Sequence, residues 1–111
     1  MIVYPTAIGS EPDFPGFDSQ PIWQKVIQAQ GIVNGIFIAA VNRIGNEGAV
    51  TFYGSSFVSD PCGTLVAQAP RDQAKVVVAT LDFSVFKFWR KLFPLLEQRE
   101  PHAYGPLVEA K

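Results

Sequence analysis

Six consecutive apolar residues, Ile36-Phe37-Ile38-Ala39-Ala40-Val41, lie between Asn34-Gly35 and Asn42-Arg43 and constrain the fold more than any other stretch. A strand with one wet face alternates apolar and polar residues. One that is apolar at every position needs cover on both faces, which is the habit of strands inside α/β proteins. The run is also far too short to cross a bilayer, which takes roughly 20 apolar residues. Composition points the same way: 48% apolar and 17% charged is greasier than an average soluble domain. A chain that has lost a neighbouring layer would carry that excess, and so would a compact α/β protein.

The remaining punctuation gives an element order. Ile2-Val3-Tyr4 reads as a short buried strand that turns into a Pro/Gly loop, and Gly9 to Gln20, with Pro12, Pro15, Gly16 and two aspartates, continues as loop. A helix follows, with Asp18 or Ser19 as N-cap and Pro21 in the first turn, ending at Asn34-Gly35. Its apolar face is expected to be Ile22, Val26, Ala29 and Val33, flanked by Trp23 and Ile27, with Gln24, Lys25 and Gln28 opposite. After the Ile36–Val41 strand comes a polar loop, Asn42 to Gly48. Val50 to Ser59 reads as one strand kinked at Gly54, and Asp60-Pro61-Cys62-Gly63 as a type I turn into a returning strand, Thr64 to Ala69. Valine-rich Lys75 to Leu81 reads as a further strand, and Asp82 or Ser84 to Phe93 as a second helix stopped by Pro94. The tail through Pro101 and Pro106 is expected to be extended. The order β-loop-α-β-β-β-β-α predicts an α/β fold: a mixed sheet with helices on one face, needing a second layer.

Several functional classes are disfavoured. A net charge of −1 provides no nucleic-acid footprint and no membrane-surface patch. Met1 leads directly into an apolar strand without a basic leader or cleavage site, so no secretory segment is expected. One cysteine cannot form an internal disulfide, and a cytoplasmic location follows as the default.

The loop Tyr4-Pro5-Thr6-Ala7-Ile8-Gly9-Ser10-Glu11-Pro12 carries a resemblance that extends along nearly the whole chain. Trp23-Gln24-Lys25-Val26-Ile27-Gln28, Asn34 to Gly45, Thr51 to Pro61 with Gly63, and the tail's Phe93-Pro94, Arg99 and Tyr104-Gly105-Pro106-Leu107 follow in one order at natural spacing. Together they resemble the C-terminal part of nitrilase-superfamily carbon–nitrogen hydrolases, especially the N-carbamoylputrescine amidohydrolase branch. The fold this implies is the C-terminal portion of an αββα sandwich, and residues 1–111 would form a partial hydrolase domain. Departures occur at Glu97-Gln98-Arg99-Glu100, where relatives carry a basic run, at Gln30 in place of a histidine, and at Cys62 in place of a bulky turn residue. The first puts the tail's usual ion pairs, and any subunit contact made through them, in doubt.

In similar enzymes a cysteine thiolate attacks a carbamoyl or amide carbon, a glutamate acts as general base, and a lysine stabilises the oxyanion. The division is sensible, because a neutral thiol is a poor nucleophile and the tetrahedral intermediate needs positive charge beside its oxygen. The resemblance places those three residues upstream of the Tyr4–Pro12 loop, so no catalytic residue is expected among these 111. Cys62 is a poor substitute, in a turn beside Asp60, and His102 lies in the proline-bounded tail. The substrate-binding candidates are Glu11, Ser10 and Thr6, backed by Asn42 and Arg43. Glu11 follows a strand's C-terminal end, where α/β folds place ligand groups. There it can accept a charge-assisted bond from a distal ammonium, or else serve as a solvated loop carboxylate or helix-entry cap. For Arg43 an ion pair with Glu47 weighs more than a role in the site. No metal or other cofactor is expected.

Aromatic Phe83, Phe86, Phe88, Trp89 and Phe93 are too many to point one way from one helix, and are expected to divide between the sheet and another surface. Two readings of different class result. The chain is either the C-terminal segment of an amidohydrolase acting on a carbamoylated amine or amide, or a non-catalytic interaction module built on the same half-fold. The expected partners are the substrate, an N-terminal part of the same fold and, in the intact form, further copies of itself. Neither nucleic acid nor membrane is among them.

Overall fold

A computed structural model describes residues 1–109. The apolar run forms the middle of a four-stranded sheet as β2 (Ile38–Asn42). It pairs in parallel with β1 (Ile2–Thr6) and antiparallel with β5 (Phe57–Ser59), which pairs antiparallel with β6 (Leu65–Gln68). The spatial order is β1-β2-β5-β6. The β1-to-β2 crossover is made by α1 (Gln20–Asn34), as a parallel pair requires. Gly35 caps α1 in the left-handed conformation.

The sheet is covered on one face only. Ile38, Ala40 and Phe57 are buried under α1 with Ile27, and Tyr4, Trp23 and Ile36 pack against them. On the other face Val41 of β2 is 55% exposed and Val3 of β1, the register partner of Ala39, is 53% exposed. The expectation of cover on both faces is therefore corrected for residues 1–109. The molecule is a slab of 47 × 44 × 19 Å with a radius of gyration of 16.9 Å. A compact chain of this length would measure about 13 Å.

The packing face of α1 also differs from the expected one. Ile22, Val26, Ala29 and Val33 are all exposed, and the helix meets the sheet through Trp23, Ile27 and Gly31. Gly31 sets this choice. A Cβ there would lie 2.8 Å from Cγ1 of Ile38, so the helix approaches the sheet at that point. The glutamines are used rather than turned to water: Gln28 donates to the Gly63 carbonyl, and Gln20 and Gln68 both donate to Gln24.

Three strand expectations change. The polar loop after β2 contains β3 (Ile44–Glu47), which forms a hairpin with β4 (Val50–Tyr53) in a separate two-stranded sheet. Val50 to Ser59 is accordingly two strands in two sheets. Gly54 and Ser55 turn the chain between them with φ of 50° and 58°, and the Ser55 hydroxyl donates to the Tyr53 carbonyl to hold the turn. Lys75 to Leu81 is extended but unpaired. Its side chains still alternate, with Val77, Ala79 and Leu81 half-buried and Val76 and Val78 each 87% exposed. Lys75 and Val77 share a cavity of about 300 Å³ with Ala39–Val41 and Ser56–Val58 on the uncovered sheet face. A strand needs a ladder partner, and none of the described residues supplies one.

The Asp60–Gly63 turn forms as expected, with Gly63 N–H donating to the Asp60 carbonyl over 3.0 Å. The second helix, α2 (Phe83–Leu92), is capped by the Asp82 carboxylate. It docks on the end of α1, Trp89 Nε1 donating to the Ile32 carbonyl, while Phe83 and Phe88 stay exposed. The aromatics do divide, but the packed side of α2 meets α1 where the sheet was expected. The tail is not simply extended: Pro101–Tyr104 forms a 3-10 turn and Gly105–Val108 a single helical turn, α3.

Candidate functional site

The parallel pairing of β1 and β2 brings their C-terminal ends together, so Thr6, Asn42 and Arg43 share one edge with the loop that follows β1. Asn42 is the centre of that edge. It is 8% exposed, and its side chain uses every hydrogen-bonding capacity that it has. Its amide nitrogen donates to the Ile8 carbonyl (3.0 Å) and the Gly54 carbonyl (2.9 Å). Its oxygen accepts from Ile8 N–H (2.9 Å) and the Thr6 hydroxyl (3.0 Å). Its backbone meets the Ser56 hydroxyl on both sides, N–H donating and the carbonyl accepting. One amide thus joins the loop after β1 to the turn between β4 and β5.

A second anchor lies two residues further along. Gly9 bridges to Phe52 in β4, Ser10 N–H donates to the Thr51 carbonyl over 2.8 Å, and Thr51 N–H donates back to Ser10 Oγ over 3.0 Å. The far end of the loop is strapped by Asp18. Its two carboxylate oxygens each take a 2.8 Å bond from Arg71, whose guanidinium lies 5.6 Å from the Tyr53 ring centre. Arg71's hydrogen bonds hold the Asp18 carboxyl below its usual value against a smaller opposing effect of burial. The strap therefore contributes above the ordinary carboxylate range and is lost as pH falls through Asp18's lowered pKa. Both side chains are about half exposed, so the contribution is below about 1 kcal/mol.

Beneath the strap, a cavity of about 590 Å³ is lined by Ser10, Ser19, Tyr53 and Arg71 among others. Burial pushes the Tyr53 phenol upward, and Ser19 lies close enough to oppose that shift. The two hydroxyls nevertheless miss hydrogen-bond geometry, so each is left without a partner among the described residues.

Between the anchors stands Glu11. The residue is half-buried, and its carboxylate makes no hydrogen bond or ion pair among the described residues. Thr6 and Ser10 are occupied differently, their hydroxyls being engaged with Asn42 and Thr51. Arg43 pairs with Glu47 and lies 4.6 Å from the Phe52 ring centre. Nothing in the sequence singles out Arg71 or Ser56 for a role at this edge. For Arg71, nothing local marks a partner 53 positions away.

Cys62 lies half-buried in the β5–β6 turn, where burial first and Asp60 second push its thiol up. Iodoacetamide at pH 7.5 is expected to alkylate it several-fold more slowly than a free cysteine, because less of it is thiolate. A rate equal to free cysteine, read by mass spectrometry, would contradict this assignment. No group of three metal-ligating side chains occurs among the described residues, and no helix there is long and apolar enough to cross a membrane.

Comparison with known proteins adds three findings. Residues 2–91 match the family model described as carbon-nitrogen hydrolase. The chain is 38% identical over 112 residues to a citrullinase of Francisella tularensis and 37% identical over 116 residues to an N-carbamoylputrescine amidase of Arabidopsis thaliana. Each match covers 97% of this chain and 39% of the relative, so the 111 residues span about two fifths of those proteins' length. A crystal structure of a carbon-nitrogen hydrolase from Helicobacter pylori superposes with a TM-score of 0.87 at 28% identity, over 97% of this chain and 40% of that one.

Proposed function

This chain belongs to the carbon–nitrogen hydrolase family, and we propose that it forms the C-terminal part of an amidohydrolase cleaving N-carbamoylputrescine to putrescine, ammonia and carbon dioxide. Its own contribution is one wall of the substrate site. The observation that carries this reading is Glu11: a carboxylate with no ion-pair partner among the described residues, on a loop anchored at both sides, at the C-terminal edge of a parallel strand pair. A carboxylate so placed is suited to the distal ammonium of a carbamoylated diamine, a charge-assisted bond of about 1.5–3 kcal/mol. Thr6, Ser10 and Asn42 serve by fixing the loop, and Arg43 by fixing the adjacent hairpin.

The chemistry is assigned to a Glu, Lys and Cys outside this chain, on the N-terminal part of the fold. That part would lie over the bare sheet face and give the Lys75–Leu81 segment its ladder partner. Polar backbone and apolar side chains left open together are the reason for expecting it there. We place the assembly in the cytoplasm, as a homo-oligomer, with the exposed Ile22-Val26-Ala29-Val33 stripe as a surface in need of cover.

Ammonia release tests the proposal. The chain alone should release none from N-carbamoylputrescine, and mixing it with an N-terminal hydrolase part that carries Glu, Lys and Cys should start release. Citrulline, offered in parallel, should be the poorer substrate. Turnover by the chain alone refutes the division of labour, and faster citrulline hydrolysis refutes the substrate. If the two parts bind yet stay inactive, the chain is an interaction module instead.

A further inference from the structure

Glu11, Phe14 and Phe17 alone line an open cavity of about 440 Å³. Two successive turns place them there. Phe14 N–H donates to the Glu11 carbonyl over 3.0 Å, and Phe17 N–H donates to the Phe14 carbonyl over 3.1 Å. Each turn has proline at its second position, Pro12 and Pro15, and the second has Gly16 at its third with φ of 90°. Such prolines fix φ in advance, and a glycine there takes the left-handed turn without strain. The turn spacing, rather than a core, thus brings one carboxylate and two phenyl rings to one side of the loop. The rings are 69% and 53% exposed, so packing among the described residues does not account for them.

We infer that Glu11, Phe14 and Phe17 form a cage for the alkylammonium end of a ligand, with the two ring faces as its walls. The inference rests on the reading of Glu11 above and extends it to selectivity. Phenyl faces carry negative potential and attract cations, and Glu11 has no competing counter-ion among the described residues. The loop's nearby cation, Arg71, is occupied in both directions by Asp18. A neutral apolar ligand would strip water from Glu11 without compensation. A zwitterionic amino-acid end would bring its own carboxylate against Glu11. A bare ammonium or a quaternary ammonium fits all three groups.

The test is a proton NMR titration of the 111-residue chain, alone and mixed with the N-terminal hydrolase part. Probes are tetramethylammonium, putrescine and the neutral isostere tert-butanol. Tetramethylammonium methyl protons should move upfield by ring current, and those of tert-butanol should not. Phe14→Leu and Phe17→Leu should each weaken cation binding about two- to fivefold, and Glu11→Gln at least about tenfold. Circular dichroism of each variant confirms that leucine has preserved the fold. If cations bind and need Glu11 but ignore both leucine variants, the cage is refuted and the Glu11 reading stands. If binding ignores Glu11→Gln as well, or is absent from both preparations, both readings are refuted.

Discussion

Asn42→Ala is expected to destabilise the chain by about 3–4 kcal/mol, the largest loss for any polar side chain in this structure. The substitution removes four side-chain hydrogen bonds and leaves the N–H and carbonyl of Ile8 and the carbonyl of Gly54 to find new partners. A buried group left unpaired costs about 1–3 kcal/mol, and water entering the exposed side of the loop lowers the total. Asn42→Asp separates the donors from the acceptors. Its carboxylate still accepts from Ile8 N–H and Thr6, but faces the Ile8 and Gly54 carbonyls without a proton to give. The folded variant therefore holds its proton more tightly than the unfolded chain. Its stability should recover partly below about pH 4 and fall as pH rises. Urea midpoints at pH 7 and pH 4 read both effects. A loss of under 1 kcal/mol in Asn42→Ala would show that the amide is not what holds the loop.

Asn42 also marks where sequence reasoning stopped. Its position at the end of an apolar strand was legible, because that run could only be a central strand and strand direction fixes which loops share an edge. Its four partners were not, because they come from Thr6, Ile8 and Gly54, elements brought near only by folding. The error on α1 has a related cause. Ile22-Val26-Ala29-Val33 and Trp23-Ile27-Gly31 are both regular stripes, and periodicity alone favours the one with more apolar residues. Close approach favours the other, since only Gly31 lets the helix backbone reach Ile38. For Lys75–Leu81 the local signal was sound, and the alternating exposure of Val76 to Leu81 is that of a strand. Pairing is a property of two segments, and a valine-rich sequence specifies only one. Ser10 was legible as a residue of the loop, whereas Thr6, which the sequence places in the same loop, ends β1. That the Thr6 hydroxyl is spent on Asn42 follows from the β1–β2 register, and that Ser10 Oγ is engaged by Thr51 depends on a hairpin, β3–β4, whose first strand reads as loop in the sequence.

Gly9→Ala should have a comparable effect through geometry instead of hydrogen bonding. A Cβ at Gly9 would lie 2.4 Å from the Thr51 carbonyl oxygen, 2.8 Å from its carbon and 2.9 Å from Cα of Phe52. All three are backbone atoms of β4, so no rotamer change relieves the clash. Ordinary contact begins at 3.4 Å, so loop and strand must part by about 1 Å. At that separation the 2.8 Å bond from Ser10 N–H to Thr51 would stretch past hydrogen-bonding distance, and the return bond to Ser10 Oγ would weaken with it. Loss of the two bonds and of close packing should cost about 2–4 kcal/mol. The damage should stay local, because β3–β4 keeps its own ladder and the Asn42 amide still holds Ile8. Amide hydrogen exchange should therefore rise at Ser10 and Thr51 while β2 and α1 keep their protection. Glu11 lies just beyond the displaced pair. In the complemented enzyme the same variant should raise KM for N-carbamoylputrescine about tenfold or more, with a smaller change in kcat. Ser10→Ala, which removes one bond without the clash, should show a small fraction of this effect. Unchanged protection at Ser10 in Gly9→Ala would mean that the loop does not sit against β4 as described, and would remove the physical basis for placing Glu11 in the site.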